Sequence, residues 1–156
     1  MAHCTIRLPN GRSRPQLAGP TSDPLFGRTN ILGYLARHTP GPLQPRMLRA
    51  MQEQEIAISV ITRAETRYGR GLLNANDKRR VSVNLLLQAY PALAWTSEAA
   101  DLYGEIAAHL QLTGQTIGEM DTMIAAHALA ENLILVTHNT RHFERVPGLK
   151  LEDWVI

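Results

Sequence analysis

Short apolar runs alternate with longer segments of helical periodicity along most of this chain. The runs are "IAISV" (residues 56–60), "ALAWT" (92–96) and "LILVT" (133–137), with a further short strand near residues 149–151. Apolar runs of this length are typical of buried strands. Because helical segments separate them, the pattern predicts an α/β fold whose parallel sheet is covered by helices on both faces.

The helical segments carry apolar residues three and four positions apart, which places these residues on one face of each helix. A helix is predicted in each of the following segments: residues 29–38, 45–55, 61–71, 76–90, 97–114 and 116–132. Ser97 is the predicted N-cap of the helix over residues 97–114, because its hydroxyl can accept a backbone N–H bond there.

The first 27 residues differ from the rest because they are rich in Pro, Gly, Arg and Ser and lack periodicity. We expect residues 1–27 to be a disordered extension and residues 28–156 to form one domain with its own core. No apolar run approaches the roughly 20 residues of a membrane span, and no secretory signal is visible. The single cysteine, Cys4, excludes an internal disulfide framework. These features predict a cytoplasmic protein without a membrane partner.

The net charge of +2 and the isoelectric point of about 9.0 do not by themselves indicate a basic module. Residues 1–27 hold three arginines against one aspartate, and the remaining chain balances 13 basic against 13 acidic residues. Local basic clusters remain, at Arg63, Arg67 and Arg70 and at residues 78–80. They fit either solvated helix faces or contacts with phosphates.

Glu65 lies on one helix face with apolar neighbours at helical spacing, namely Ile61, Ala64, Tyr68 and Leu72. This stripe is predicted to face the core. A carboxylate there costs free energy unless a cation or hydrogen-bond donors meet it. The local alternative is a capping box, since residues 62–65 ("TRAE") fit S/T-x-x-E. The residues alone leave both explanations open.

Asp121 lies in "MDTMIAAHALA", a helical segment that is apolar nearly all round. Helical spacing places Asp121, Ala125 and Ala128 on one face, where the two alanines leave room beside the carboxylate. An acid near a helix N-terminus is also favoured by the macrodipole, which is a local explanation. Thr116 and Glu119, however, already fit a capping box, so Asp121 is surplus to capping and is a candidate for function.

Asn139 follows "LILVT", and ligands of parallel sheets bind beyond the carboxyl ends of the strands. Its amide oxygen can ligate a hard cation directly or through water, but for Asn139 taken alone a turn residue is the better explanation. With Glu65 and Asp121 it forms a set of oxygen donors, which indicates Mg²⁺ or Mn²⁺. Glu65, Asp121 and Asn139 are therefore candidate catalytic residues of one shared pocket. Such a pocket suits phosphodiester hydrolysis.

The histidines are weaker candidates for metal binding. His127 lies six residues after Asp121, about 240° round the helix, and is expected to face elsewhere. His138 and His142 are four residues apart, but Asn139 and the residue after it disfavour a continuous helix between them. We expect no histidine to ligate the metal.

Three segments together resemble the PIN-domain ribonucleases of the VapC toxin family: "TNILGYL", "AISVITRAETRYG" and "IGEMDTMIAAHALAENLILVTHNTRHFERVPGLKLEDW". The likeness covers residues 29–154. Three features carry the likeness and occur in this order: the glutamate in the helix that follows a strand, the "IG..D..IAAHA" helix, and the "T.N...F..VPGL" ending.

The resemblance implies a three-layer α/β/α PIN-like fold with a central, mainly parallel sheet. It implies an Mg²⁺-dependent endoribonuclease acting on structured RNA such as tRNA, with Mn²⁺ as an alternative ion. A VapB-like antitoxin would hold the enzyme in check, and the family is expected to be homodimeric. The acidic pocket of the family carries over onto Glu65 and Asp121 as metal ligands, with Asn139 at a position that is acidic in some members.

The chain departs from the family pattern at its first acid. Family members resemble "LDTN" where this chain reads "LFGRTN", which places Arg28 at the position of a principal metal ligand. A guanidinium cannot ligate Mg²⁺, and its charge competes with the ion. Pro24 and Gly27 are expected to interrupt the first strand. His142 also stands where an acid is common in the family.

Two explanations of Arg28 are open. Residues 1–28 could come from an altered reading frame or a rearranged gene start, or the chain could be a degenerate relative without activity. In the second case it would be a catalytically inactive PIN-fold binding module that sequesters a VapB-like antitoxin or RNA. An unrelated Mg²⁺ phosphatase is less supported, because no D-x-D pair follows a strand. The position of Arg28 relative to Glu65 and Asp121 would discriminate between these functions.

Overall fold

One parallel sheet forms the centre of the domain. The structure, a computed structural model, describes residues 25–26, 42–53 and 56–155. In these residues the strands pair in the order β3-β2-β1-β4-β5, and every pair is parallel. The strands are β1 (Leu25–Phe26), β2 (Ile56–Ser59), β3 (Ala92–Leu93), β4 (Ile134–Val136) and β5 (Lys150–Glu152). The predicted parallel sheet is confirmed.

The first strand forms, contrary to the expectation that Pro24 and Gly27 would interrupt it. Leu25 pairs with Ile56 of β2, and Phe26 pairs with Leu135 of β4, so β1 is the central strand. The strand has only two residues and lies between the proline and the glycine in the sequence. A proline before a strand and a glycine after it do not remove a ladder hydrogen bond from the strand itself.

Helices connect the strands, at bounds close to those predicted. They are α1 (Leu43–Gln52), α2 (Val60–Gly71), α3 (Arg79–Ala89), α4 (Ser97–Leu112), α5 (Glu119–Ala130) and α6 (Thr140–Phe143). The helix predicted over residues 29–38 lies outside the described residues. The N-cap of α4 is Thr96 instead of Ser97, because the Thr96 hydroxyl accepts the Ala99 N–H at 3.2 Å. Among the helices described, none is long and apolar enough to cross a membrane.

Two hydrophobic cores lie on opposite faces of the sheet. In β2, Ile56 and Ile58 belong to one core and Ala57 belongs to the other, as expected when successive side chains point to opposite faces. In β4, Leu135 and Val136 divide in the same way. One core receives side chains of α1 and α3, and the other receives side chains of α4 and α5. This arrangement confirms the three-layer α/β/α architecture.

The predicted core-facing stripe of α2 is wrong beyond Ile61, which does pack against one core. Tyr68 is 71% exposed and Leu72 is 70% exposed, and Ala64 is also exposed. The buried residues of α2 are instead Thr62 and Thr66, and the Thr66 hydroxyl donates to the Thr62 carbonyl at 2.7 Å. Periodicity identified one apolar face of this helix, but beyond Ile61 most of that face is exposed to solvent.

Candidate active site

The carboxyl ends of β1, β2 and β4 lie side by side at one edge of the sheet. The chain passes from β1 to β2 on one side and returns to β4 on the other, so the order of strands reverses at β1. In open α/β sheets, ligands bind in the crevice at such a switch point. Helix α2 begins directly after β2, and α5 runs towards the start of β4, so its first turn lies at this same edge. Glu65, Asp121 and Asn139 belong to the elements that meet here.

Asp121 lies in the first turn of α5 and is 7% exposed. The helix begins three residues later than predicted: Gly118 is the N-cap and no side chain caps the helix, so the Thr116–Glu119 capping box is wrong. Gly118 has φ +90° and ψ 152°, a conformation that suits glycine and lets the chain turn into the helix. The macrodipole therefore favours the Asp121 carboxylate directly.

His142 contacts the Asp121 carboxylate, a partner that sequence reasoning missed. Its Nε2 lies 2.9 Å from Asp121 Oδ2 and 2.7 Å from the Ile117 carbonyl oxygen. Both of these oxygens are acceptors, so Nε2 carries the hydrogen and donates to them. The ring is held in place by an edge contact with Phe143, at 5.5 Å between centroids. His142 thereby ties α6 to the first turn of α5.

Glu65 is half-buried on α2, a helix that packs against α5. The alternative capping box at residues 62–65 is wrong, because α2 begins earlier than that motif requires. Ser59 is the N-cap, and its hydroxyl accepts the Ile61 N–H at 3.0 Å. Glu65 therefore lies inside the helix, about one and a half turns beyond the end of β2. Its carboxylate is not needed for capping.

Asn139 immediately precedes α6, just beyond the end of β4, and is half-buried. Its backbone N–H donates to the Thr137 hydroxyl at 3.0 Å, and its side chain does not cap the helix. The turn conformation that was the alternative explanation is therefore present. A metal or catalytic role for the Asn139 amide remains a prediction.

A buried polar pair connects α5 to the junction of β2 and α2. Ser59 and His127 are both fully buried, and Ser59 Oγ lies 3.0 Å from His127 Nδ1. Because Ser59 Oγ already accepts the Ile61 N–H, its own hydroxyl proton is available for Nδ1. Trp95 covers the ring edge-on. The expectation that His127 faces away from Asp121 is confirmed, and the pair links the two helices that carry Glu65 and Asp121.

The buried imidazole of His127 gives a testable dependence of stability on pH. Burial lowers its pKa from 6.5 to about 4, and a hydrogen bond with the Ala94 backbone opposes that shift. The unfolded chain therefore binds a proton that the folded chain excludes, so this stabilisation is complete above pH 6.5 and is lost as the pH falls towards 4. We expect the loss in free energy of unfolding caused by His127→Gln to be roughly 3 kcal/mol smaller at pH 4 than at pH 7.5.

Urea unfolding of the parent chain and of His127→Gln at both pH values measures this difference. His109→Gln is the matched control, because His109 is an exposed histidine of α4. The same pH dependence in the parent and in His127→Gln would contradict a buried neutral imidazole.

Asp121 and Glu65 offer carboxylate oxygens at this edge of the sheet. Oxygen is the ligand atom that hard divalent cations such as Mg²⁺ prefer. Within the part of the chain that the structure describes, however, no three His, Cys, Asp or Glu side chains group together as a metal site. Arg28, which the family resemblance aligns with an acidic ligand, lies outside the described residues. Its position relative to Glu65 and Asp121, which would discriminate between the two functions, is therefore not tested.

Comparison with known families identifies the class of protein. The family model of the PIN domain matches residues 29–149, which is most of the chain. The chain therefore belongs to the PIN domain family. Ribonucleases of this family are generally metal-dependent, in agreement with the acidic edge of the sheet.

Individual relatives narrow the class to the VapC ribonucleases. Ribonuclease VapC2 of Rickettsia felis is 32% identical over 126 residues, which cover 81% of this chain and 94% of the relative. The tRNA(fMet)-specific endonuclease VapC of Shigella flexneri is 33% identical over the same shares of the two chains. The predicted VapC resemblance is confirmed, and the chain is an endoribonuclease by family. The comparisons favour this interpretation over an inactive binding module.

Solved structures agree with the sequence relatives. The chain matches the structure of VapBC2 from Rickettsia felis, bound to a DNA fragment from its promoter, with a TM-score of 0.74 and 32% identity. That match covers 81% of this chain and 96% of the other. DNA-bound VapBC from Salmonella typhimurium matches with a TM-score of 0.71, over 78% of this chain. The three-layer fold is thus the fold of VapC toxins.

Proposed function

We propose that this chain cleaves RNA at the sheet edge around Asp121, with Mg²⁺ or Mn²⁺ held by Asp121 and Glu65. The observation that carries the proposal is the buried Asp121 carboxylate at the N-terminus of α5, beside the carboxyl ends of the central strands. The N-terminus of α5 favours a negative charge in that place, carboxylate oxygens are preferred ligands of hard divalent cations, and the relatives named as VapC ribonucleases supply the matching chemistry.

The residues of the chain have separate tasks in this proposal. A bound divalent ion supplies an activated water and offsets charge on the scissile phosphate. Asp121 and Glu65 provide the negative charge that holds the ion. His142 donates to Asp121 Oδ2 and so fixes the orientation of the carboxylate. Asn139 offers its amide oxygen at the end of β4.

The relatives support a substrate and a partner. The Shigella flexneri relative is named as an endonuclease specific for tRNA(fMet), which supports tRNA or another structured RNA as substrate here. The solved neighbours are VapBC complexes, which supports a VapB-like antitoxin as the partner of this chain. Such a toxin would act in the cytoplasm, where tRNA and antitoxin are available. A homodimer is part of the same proposal.

Cleavage of tRNA by the purified, EDTA-treated chain tests the proposal. We expect internal cleavage after addition of Mg²⁺ or Mn²⁺, no cleavage in EDTA, and suppression by a co-purified VapB-like antitoxin. The Arg28→Asp variant is assayed alongside, because Arg28 occupies the position of the missing acid. If neither chain cut RNA with either ion, the proposed ribonuclease activity would be wrong.

A further inference from the structure

Positive charge is concentrated on one helical hairpin of the domain. Residues 60–89, which contain α2 and α3, hold six basic and two acidic residues, a net charge of +4. The other described residues hold five basic and ten acidic residues, a net charge of −5. A polyanion that approaches the described part of the domain is therefore attracted to the α2–α3 hairpin and repelled elsewhere.

The hairpin is a braced, antiparallel pair, so its surface is well defined. Arg63 of α2 donates to the Leu87 carbonyl near the end of α3, at 2.8 Å. In return, Arg80 of α3 donates to the Leu73 carbonyl just beyond α2, also at 2.8 Å. Arg67 reaches Asn84 midway, at 3.3 Å. These contacts place the arginine side of α2 against α3.

An exposed part of the surface of α2, called the arc below, extends from Glu65 at the candidate active site to Arg67 on the side that faces α3. Successive residues of a helix are about 100° apart, so the arc runs from Glu65 through Tyr68 and Ala64 to Arg67. Glu65 is half-buried at one margin of the arc, and Arg67 is exposed at the other. Tyr68 lies between them and is one of the most exposed large side chains described. The Tyr68 ring is thus exposed to solvent on the helix surface between Glu65 of the candidate site and Arg67.

Proteins that bind single-stranded nucleic acids stack bases on exposed aromatic rings and contact the phosphate backbone with nearby cations. We propose that substrate RNA crosses α2 along this arc, with an unpaired base stacked on Tyr68 next to the scissile phosphate. Arg67 contacts the adjoining phosphate, and Lys78 at the tip of the hairpin extends the cationic path. This inference rests on the proposed ribonuclease function and adds the position of its substrate.

Charge also favours RNA over a second copy of the chain on this surface. A two-fold interface through the hairpin would bring two surfaces of charge +4 together. Asp77 does not neutralise the rest of the cluster, because Arg79 pairs with it at 2.6 Å and lowers its pKa to about 2. Arg67 and Lys78, which are both exposed, are therefore available to a polyanionic partner.

RNA binding measured in EDTA tests the surface separately from cleavage. Fluorescence anisotropy with a single-stranded RNA oligonucleotide would compare the parent with Tyr68→Phe and Tyr68→Leu. We expect Tyr68→Phe to bind like the parent, because the ring is retained, and Tyr68→Leu to bind about tenfold more weakly. Arg67→Gln should also reduce the slope of log affinity against log salt by about 1, and the exposed Arg49→Gln on α1 should not.

The outcomes separate this inference from the proposed function. Equal RNA affinity for Tyr68→Leu and the parent would overturn the inference, and so would undetectable RNA binding by the parent. If Tyr68→Leu left RNA binding unchanged but altered self-association in sedimentation, the arc would belong to an interface between copies instead. A loss of affinity in Tyr68→Leu would support the inference even if the chain failed to cleave RNA with Mg²⁺.

Discussion

Asp121→Asn is expected to reduce the rate of RNA cleavage by on the order of 10³-fold, equivalent to about 4 kcal/mol of transition-state stabilisation. The substitution removes one negative charge where the ion is proposed to bind. It keeps an amide oxygen that can still accept the hydrogen bond from His142. The local fold should therefore survive, and the loss should appear in the rate constant of cleavage at saturating RNA.

Glu119→Gln is the matched control for this prediction. Glu119 is an exposed acid in the same turn of α5, so its substitution makes the same charge change outside the buried position. We expect it to cleave RNA at a rate close to that of the parent. Both substitutions should also be made in the Arg28→Asp chain, so that a low starting rate cannot hide the loss. Similar rates for Asp121→Asn and Glu119→Gln would contradict a role of Asp121 in the reaction.

Arg28→Asp is expected to increase Mg²⁺-dependent cleavage by at least about tenfold. The family resemblance places an acidic metal ligand at this position, and a fixed positive charge within a few ångströms of a divalent cation opposes its binding. Arg28→Gln separates the two effects, because it removes the charge without adding a ligand. We expect its rate to fall between those of the parent and Arg28→Asp, measured at limiting Mg²⁺.

The order of these three rates decides what Arg28 does. An unchanged rate in both variants would mean that the site functions without an acid at position 28. A rate that rises partly in Arg28→Gln and further in Arg28→Asp would mean that the scaffold is an intact ribonuclease that lacks one ligand. The second result is the one expected from the family pattern.

The layers of the fold could be predicted because they depend on local patterns. The run at residues 56–60 is short and apolar except for Ser59, which is typical of a strand buried on both faces. The structure places β2 there, with alternate side chains in the two cores. The segment predicted to be a helix over residues 97–114 is likewise a helix, from Ser97 to Leu112.

The helix starts were predicted less well, because capping depends on backbone geometry. Gly118 begins α5 through a positive φ angle, which the sequence shows only as a glycine among many. Ser59 begins α2 because its hydroxyl lies at the end of a buried strand, and Thr62 was a plausible cap by its spacing alone. Both capping boxes failed for this reason.

The partners of the candidate site could not be predicted, because they join residues distant in the sequence. His142 meets Asp121 across 21 positions, and His127 meets Ser59 across 68 positions. Local periodicity carries no information on such pairs. Periodicity identified Asp121 as a carboxylate on an otherwise apolar helix, but only the tertiary structure shows that His142 contacts it. The outward orientation of Tyr68 was missed because an apolar stripe does not reveal which element covers it.

Binding of Mn²⁺ to the metal-free chain, measured by electron paramagnetic resonance, tests the central claim most directly. It reports whether the buried carboxylate of α5 helps to hold a divalent ion, without requiring turnover. In the Arg28→Asp chain we expect a Mn²⁺ site whose affinity falls at least about tenfold in the additional Asp121→Asn variant and is unchanged by Glu119→Gln. Equal Mn²⁺ affinity with and without the Asp121 carboxylate would contradict the account.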